Sequence, residues 1–232
     1  MKNSIPHVMG PERYEERNFI NSVFKEIKTN KFFDVQMQYP LSGMRYAETG
    51  CYVRQEVYEK LLLAAGMLPP GFRFRVWDAW RPFLLQKELY LAYSDDIIRK
   101  FGLDGSSEEQ KRAFIQKFVS EPVDDREVPP VHTTGGAVDL TIIDDAGQEL
   151  AMGSLFDEFS HKTDTAYFED GKDITVKNNR RMLYHVMTEA GFINLPSEWW
   201  HFDYGDRFWA FYSKKPAIYR GVFTKEEMNG TI

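Results

Sequence analysis

The stretch "PPVHTTGGAVDLTIID", residues 129–144, decides how this chain is read. Paired prolines and paired glycines bracket His132, and an alternating run follows them. Val138, Leu140 and Ile142 fall on one face of that run, Asp139 and Thr141 on the other, which is the pattern of a strand. His132 precedes Asp139 by seven residues. In an extended chain that spacing separates them by more than ~20 Å, whereas ligands of one metal each lie roughly 2.0–2.2 Å from it. If the two side chains share a metal, the chain must fold back between them, and Gly135-Gly136 provide the freedom to do so. The alternative is a solvated loop histidine beside a strand-edge carboxylate, and the stretch taken alone favours it.

The rest of the composition narrows the chemistry. The chain has 232 residues, 43% of them hydrophobic and 15% aromatic. That is enough to bury a sizeable core, and we expect one domain over residues 1–232. A net charge of −6 argues against a nucleic-acid partner, because phosphate contacts need clustered Lys and Arg. Cys51 is the single cysteine, so neither an intrachain disulfide nor a multi-cysteine zinc site can form. A metal here would have to use His, Asp and Glu. No apolar run follows Lys2, and the longest apolar stretch, "LLLAAGML" at 61–68, falls well short of the ~20 residues that span a bilayer. The expectation is therefore no membrane partner and a cytoplasmic setting.

The order of elements points to an α+β fold. Residues 12–28 read as a polar helix with Phe19, Val23, Phe24 and Ile27 on one face. "FFDVQMQYP" reads as a strand stopped by Pro40, and "RQEVYEKLLLAAGML" as an amphipathic helix ended by Pro69-Pro70-Gly71. "FRFRVWDAW" alternates as a strand, and Pro82 suits the first turn of the helix after it. Ser106 and Glu109 form a capping box for a helix reaching about Ser120. A further helix is expected at about 177–190, before a last strand in "WWHFDYG". Strands and helices alternate without a regular βαβ rhythm, so the sheet should be antiparallel or mixed, flanked by helices.

Three more stretches can carry chemistry. In "PSEWWHFDY", Glu198 and His201 are three apart and share a side only if the chain bends there. With His201 on a metal, Glu198 would be placed as general base for a water molecule; the alternative is a surface Glu and a packed His. In "WDAWRPF", Arg81 sits between strand and helix, where a guanidinium can hold a carboxylate or an oxyanion. It could equally pair with Asp78. In "MGSLFDEFS", Asp157 lies among apolar residues and could meet an ammonium group or cap a helix. His7, His161 and His185 have no ligand-like partners at a recognisable spacing.

Together these stretches resemble the D-alanyl-D-alanine dipeptidases, zinc peptidases related to the D,D-carboxypeptidases of cell-wall metabolism. The family pattern S-x-H-x-x-G-x-A-x-D resembles "PVHTTGGAVD", with His132, Gly135, Ala137 and Asp139 in place. The family's E-x-W-H resembles "EWWH" at 198–201, D-G-x-R-P resembles "DAWRP" at 78–82, and M-G-x-x-F-D is matched by Met152, Gly153, Phe156 and Asp157. The resemblance runs from about residue 32 to 212. It implies the hedgehog/D,D-peptidase type of α+β fold and one zinc ion per chain on His132, Asp139 and His201. It also implies Glu198 as the base, Arg81 as a clamp on the carbonyl oxygen, and Asp157 as the contact for a small dipeptide's amino group.

Two departures bear on which dipeptide is cut. Pro130 stands where the family has a serine, and either Tyr39 or Tyr46 could match a substrate-side tyrosine. Two alternatives remain beside hydrolysis of D-alanyl-D-alanine. One is a D,D- or L,D-carboxypeptidase acting on peptidoglycan stem peptides; the other is a silent, zinc-stabilised binding domain, which would need neither Glu198 nor Arg81.

Overall fold

A five-stranded mixed sheet carries the site, in the computed structural model that describes residues 4–6, 16–171 and 173–229. Its strands are β2 (Phe33–Val35), β4 (Arg73–Asp78), β5 (Ala137–Ile143), β6 (Ile193–Asn194) and β7 (His201–Asp203), in the spatial order β2-β4-β5-β7-β6. β2 runs parallel to β4; the other neighbours are antiparallel. The expected mixed α+β architecture is what forms. β5 lies at the centre and all seven of its residues are buried, so its two faces differ in chemistry rather than in exposure. Val138, Leu140 and Ile142 join the main core with Val57 and Leu61 of α2 (Gln55–Gly66) and Leu183 and Val186 of α5 (Ile174–Glu189). Asp139 points the other way, into the polar centre described below, and Thr141 lines a separate groove with Trp77 and Trp199.

The helix expected at 12–28 does not form. Residues 12–15 lie outside the described part, and the chain beyond them is extended, with Phe24–Ile27 forming β1. β1 pairs antiparallel with β3 (Cys51–Arg54) in a separate two-stranded sheet. The apolar spacing there serves tertiary packing instead: Ile27 is buried in the main core and Phe24 stands edge-on to Trp80 at 6.2 Å.

Two other boundaries differ. Pro40 does not end a strand but sits inside the short helix α1 (Gln38–Leu41), after β2 has already stopped at Val35. The capping box is one residue later than expected. Ser107 and Gln110 form it, each side chain bonding the other's backbone N–H, and the helix α4 (Glu108–Ile115) stops short of Ser120. The helix after Pro82, α3 (Phe83–Phe101), begins where expected and ends on Gly102 in the left-handed conformation that favours glycine.

Candidate metal centre and substrate pocket

Three neighbouring strands deliver the polar residues in one row. Asp139 of β5 pairs in register with His201 of β7 on one side and with Asp78 of β4 on the other. The register of β4 shifts between Val76 and Asp78, so Trp77 is the extra residue of a bulge and Asp78 is turned to face the same centre. His132 arrives separately. Residues Val131–Thr134 make one 3₁₀ turn, and Gly135 closes it at φ +74°. This is the fold-back that the paired glycines anticipate. Thr133 and Thr134 tighten it by donating their hydroxyls to the carbonyls of Pro130 and Val131.

The donor atoms converge. One atom each from His132, Asp139 and His201 lies within 4.8 Å of the others, and all three residues are buried. His201 Nδ1 stands 2.9 Å from Asp139 Oδ1 and 3.2 Å from His132 Nε2. The far nitrogens of both rings are engaged: His132 Nδ1 lies 2.8 Å from the Ala79 carbonyl and His201 Nε2 lies 2.8 Å from Asp203 Oδ1. A carbonyl and a carboxylate only accept, so each far nitrogen carries a proton and both near nitrogens turn lone pairs inward. Two lone pairs facing each other beside a carboxylate make a place for one positive charge, either a proton on His201 or a metal ion. Two imidazoles and one carboxylate, each ring steadied from behind, are a donor set that fits zinc with a position left open. The electrostatics agree. Burial alone would raise Asp139, but His132 and His201 outweigh it and hold the carboxyl well below the usual range. Burial opposes charge on His201, yet Asp203 and Asp139 raise it well above the ordinary value.

Glu198 stands at the edge of this centre. A tight turn, with Glu198 N–H donating to the Leu195 carbonyl and His201 N–H to the Glu198 carbonyl, supplies the bend that the three-residue spacing required. Its carboxylate comes within 3.8 Å of His201 Nδ1. Burial, reinforced by the Asp139 and Asp157 carboxylates, pushes Glu198 up to about 8.

Arg81 forms the ion pair that the sequence offered as one alternative. It pairs with Asp78, whose Oδ2 accepts from Nη2 at 2.7 Å and from Nε at 3.0 Å, and it also faces the pocket of the metal centre. It also bonds through Nη1 to Gln86 Oε1 at 2.7 Å and through Nη2 to the Tyr39 hydroxyl at 3.2 Å, and Nη2 lies 3.9 Å from Asp139 Oδ2. A guanidinium held on three sides is fixed in direction before any ligand arrives.

Asp157 lines the same pocket. Its backbone is left-handed at φ +55°, a conformation rarely adopted by residues other than glycine, though Asp tolerates it better than most. It caps no helix. Tyr39 and Tyr93 both donate their hydroxyls to Oδ2, at 3.0 and 2.7 Å, which leaves Oδ1 for a ligand. Burial, with the Asp139 charge, pushes the Asp157 carboxyl up to about 6. The loop is clasped by Arg180 of α5, whose guanidinium donates to the carbonyls of Met152, Lys162 and Asp164 at 2.6–2.7 Å. Tyr39, not Tyr46, is therefore the tyrosine at the site; Tyr46 is exposed at the surface.

Several residues of the pocket and behind the metal centre were not singled out in the sequence, though signals for them exist. Gln86 and Tyr93 are seven apart on α3, hence on one helix face, and Gln86 is a buried polar residue in an apolar stripe. Asp203 follows His201 by two on a strand, which places both on one face.

The family model described as D-ala-D-ala dipeptidase matches residues 41–217. A D-alanyl-D-alanine dipeptidase of Synechocystis sp. is 30% identical over 200 residues, covering 80% of this chain and 80% of that protein. One from Escherichia coli is 36% identical over 120 residues, 49% of this chain and 61% of that protein. Among solved structures, VanYB in complex with D-Alanine-D-Alanine aligns with 81% of this chain and 88% of its own at 17% identity and a TM-score of 0.42. The family match spans Arg81, His132, Asp139, Asp157, Glu198 and His201, and the chain belongs to the D-ala-D-ala dipeptidase family of peptidases.

Proposed function

We propose that this protein hydrolyses D-alanyl-D-alanine, or a closely related free dipeptide, with one zinc ion held by His132, Asp139 and His201. One observation carries the reading. A three-donor centre and the half-buried Asp157 carboxylate line the same narrow pocket, which suits a substrate with an amide at the centre and a free ammonium at the end. Zinc bound there lowers the pKa of water towards ~7, polarises the amide carbonyl, and keeps the nearby Glu198 ionised.

The chain's own residues do the rest. Glu198 takes the proton of the attacking water and passes it to the departing amine; a carboxyl pushed upward by its surroundings is suited to both halves of that transfer. The Arg81 guanidinium opposes the negative charge that develops on the carbonyl oxygen, and a donor of this kind is worth ~10²–10³ in rate. Asp157 Oδ1 receives the ammonium while Tyr39 and Tyr93 hold Oδ2. D-alanyl-D-alanine is a cell-wall dipeptide, so the reading places the protein in peptidoglycan metabolism. The lone, unpaired Cys51 supports a reducing, cytoplasmic setting. Among the described residues no helix is long and apolar enough to cross a membrane.

The test compares D-alanyl-D-alanine with its N-acetyl derivative. The free dipeptide should be cut and the acetylated one slowed by at least ~10², because acetylation removes the ammonium that Asp157 would hold. Cleavage of the acetylated compound alone would overturn the dipeptidase reading in favour of a carboxypeptidase.

A further inference from the structure

Gln86 is 1% exposed and its amide is clamped between two groups of fixed polarity. Oε1 accepts from Arg81 Nη1 at 2.7 Å, and Nε2 donates to the Ser120 carbonyl at 2.7 Å. A guanidinium can only donate and a carbonyl can only accept, so the partners dictate which way the amide points. The other arms of Arg81 are taken by Asp78 and Tyr39, which leaves Nη1 to Gln86.

Ser120 ends the segment Phe118–Ser120, and that segment has two sides. It lines the pocket holding Arg81, His132 and Asp157. It also lines a larger groove of about 460 Å³ that reaches His161 and Lys117 but touches neither Arg81 nor Asp157. Glu198 borders both spaces. Phe118–Ser120 thus forms part of the wall between them, together with Leu195 and Phe208.

We infer that Gln86 is a positioning residue that sets the Arg81 guanidinium and the Phe118–Ser120 wall against each other. A single amide thereby fixes both the direction of the oxyanion donor and the width of the pocket. The inference rests on the role proposed above for Arg81. No other side chain meets both demands. Glutamate would still accept from Arg81 but would set a negative charge against the Ser120 carbonyl. Asparagine is one methylene too short, and leucine offers neither contact.

Gln86→Leu and Gln86→Glu separate the two halves. In the zinc-loaded proteins we would measure kcat and KM for D-Ala-D-Ala and for the bulkier D-Ala-D-Phe. We would also follow amide hydrogen exchange over residues 116–121 and the Nε–H resonance of Arg81. Gln86→Leu should lower kcat by ~10–10² through a misdirected guanidinium, broaden the Arg81 resonance and speed exchange in the wall. Gln86→Glu should keep kcat within about threefold and the Arg81 resonance sharp, because it retains the Arg81 contact. It should still speed exchange in the wall and shrink the preference for the smaller dipeptide several-fold.

Wall exchange at the wild-type rate in both variants would overturn the inference, as would an unchanged kcat and Arg81 resonance in Gln86→Leu. So would a loss of activity matched by a loss of folded protein, with kcat per folded site intact. If the wild type fails to cut D-Ala-D-Ala, the dipeptide reading falls, while the exchange and resonance data still decide the role of Gln86.

Discussion

Asp139 and His201 face each other across neighbouring antiparallel strands, with Oδ1 and Nδ1 2.9 Å apart. Sheet register, not a flexible loop, therefore sets the distance between two of the three donors. A slip of one residue would turn His201 to the opposite face of β7 and remove it from the centre. The third donor, His132, depends on a single tight turn next to the same strand. Two consequences follow, one for the ring behind the centre and one for the turn.

Asp203 should govern metal affinity without touching the metal. It accepts the Nε2 proton of His201 at 2.8 Å, which keeps the lone pair on Nδ1. Asp203→Ala should weaken zinc binding by ~10–100-fold, read by titration against a chelator. Asp203→Asn, which keeps an acceptor oxygen, should lose less.

Gly135→Ala should cost more than an ordinary glycine substitution at positive φ. A Cβ there would lie 2.3 Å from Phe24 Cε1, on top of the left-handed backbone at φ +74°. At Gly102, φ is +65° and nothing lies within 4 Å of the added carbon. Gly102→Ala should cost about 1 kcal/mol from backbone strain. Gly135→Ala should exceed it by at least ~1 kcal/mol, because Phe24 must move, and it should also weaken zinc binding by displacing His132. Denaturant midpoints of the two variants check the ordering.

The candidate metal centre was legible only from several stretches taken together. The stretch 129–144 alone favours a solvated loop histidine, and it is the family resemblance that joins His132 and Asp139 to the His201 and Glu198 of "EWWH". What joins the two stretches, the register of β5 with β7, is a non-local property that no local pattern reports. The same limit explains the misread amino-terminal segment. Phe19, Val23, Phe24 and Ile27 fit a helical face, but Phe24 packs on Trp80 and the chain pairs with β3, so tertiary contacts override the local period. The choice between Tyr39 and Tyr46 also needed the fold, since only Tyr39 is carried by α1 into contact with Arg81 and Asp157.

Asp157 should impose a pH limit on substrate binding. Burial, with the Asp139 charge, raises its carboxyl to about 6, against ~3.9 for an unperturbed Asp. Above about pH 6 the group is ionised and can hold an ammonium; as pH falls through 6 it takes up a proton and the affinity for a free dipeptide declines. KM should rise on the acid side, and Asp157→Asn should raise KM and flatten that limb. The effect on stability has the opposite sign. A folded-state pKa above the unfolded value stabilises the protein fully below about pH 4, and that contribution is lost as pH rises through about 6. Asp157→Asn should therefore gain relative stability at neutral pH, measured as the difference in unfolding midpoint between pH 4 and pH 7.

The account's central claim is that His132, Asp139 and His201 hold a zinc ion beside which Glu198 acts as base. It is tested most directly by measuring zinc content and D-alanyl-D-alanine turnover together in the wild type, in Asp139→Asn and in Glu198→Gln. The wild type should carry one zinc per chain and cut the dipeptide, and Asp139→Asn should lose both metal and turnover. Glu198→Gln should keep its zinc while turnover falls by ~10² or more. Near-normal turnover in Glu198→Gln, or dipeptide hydrolysis that survives complete removal of the metal, would contradict the claim.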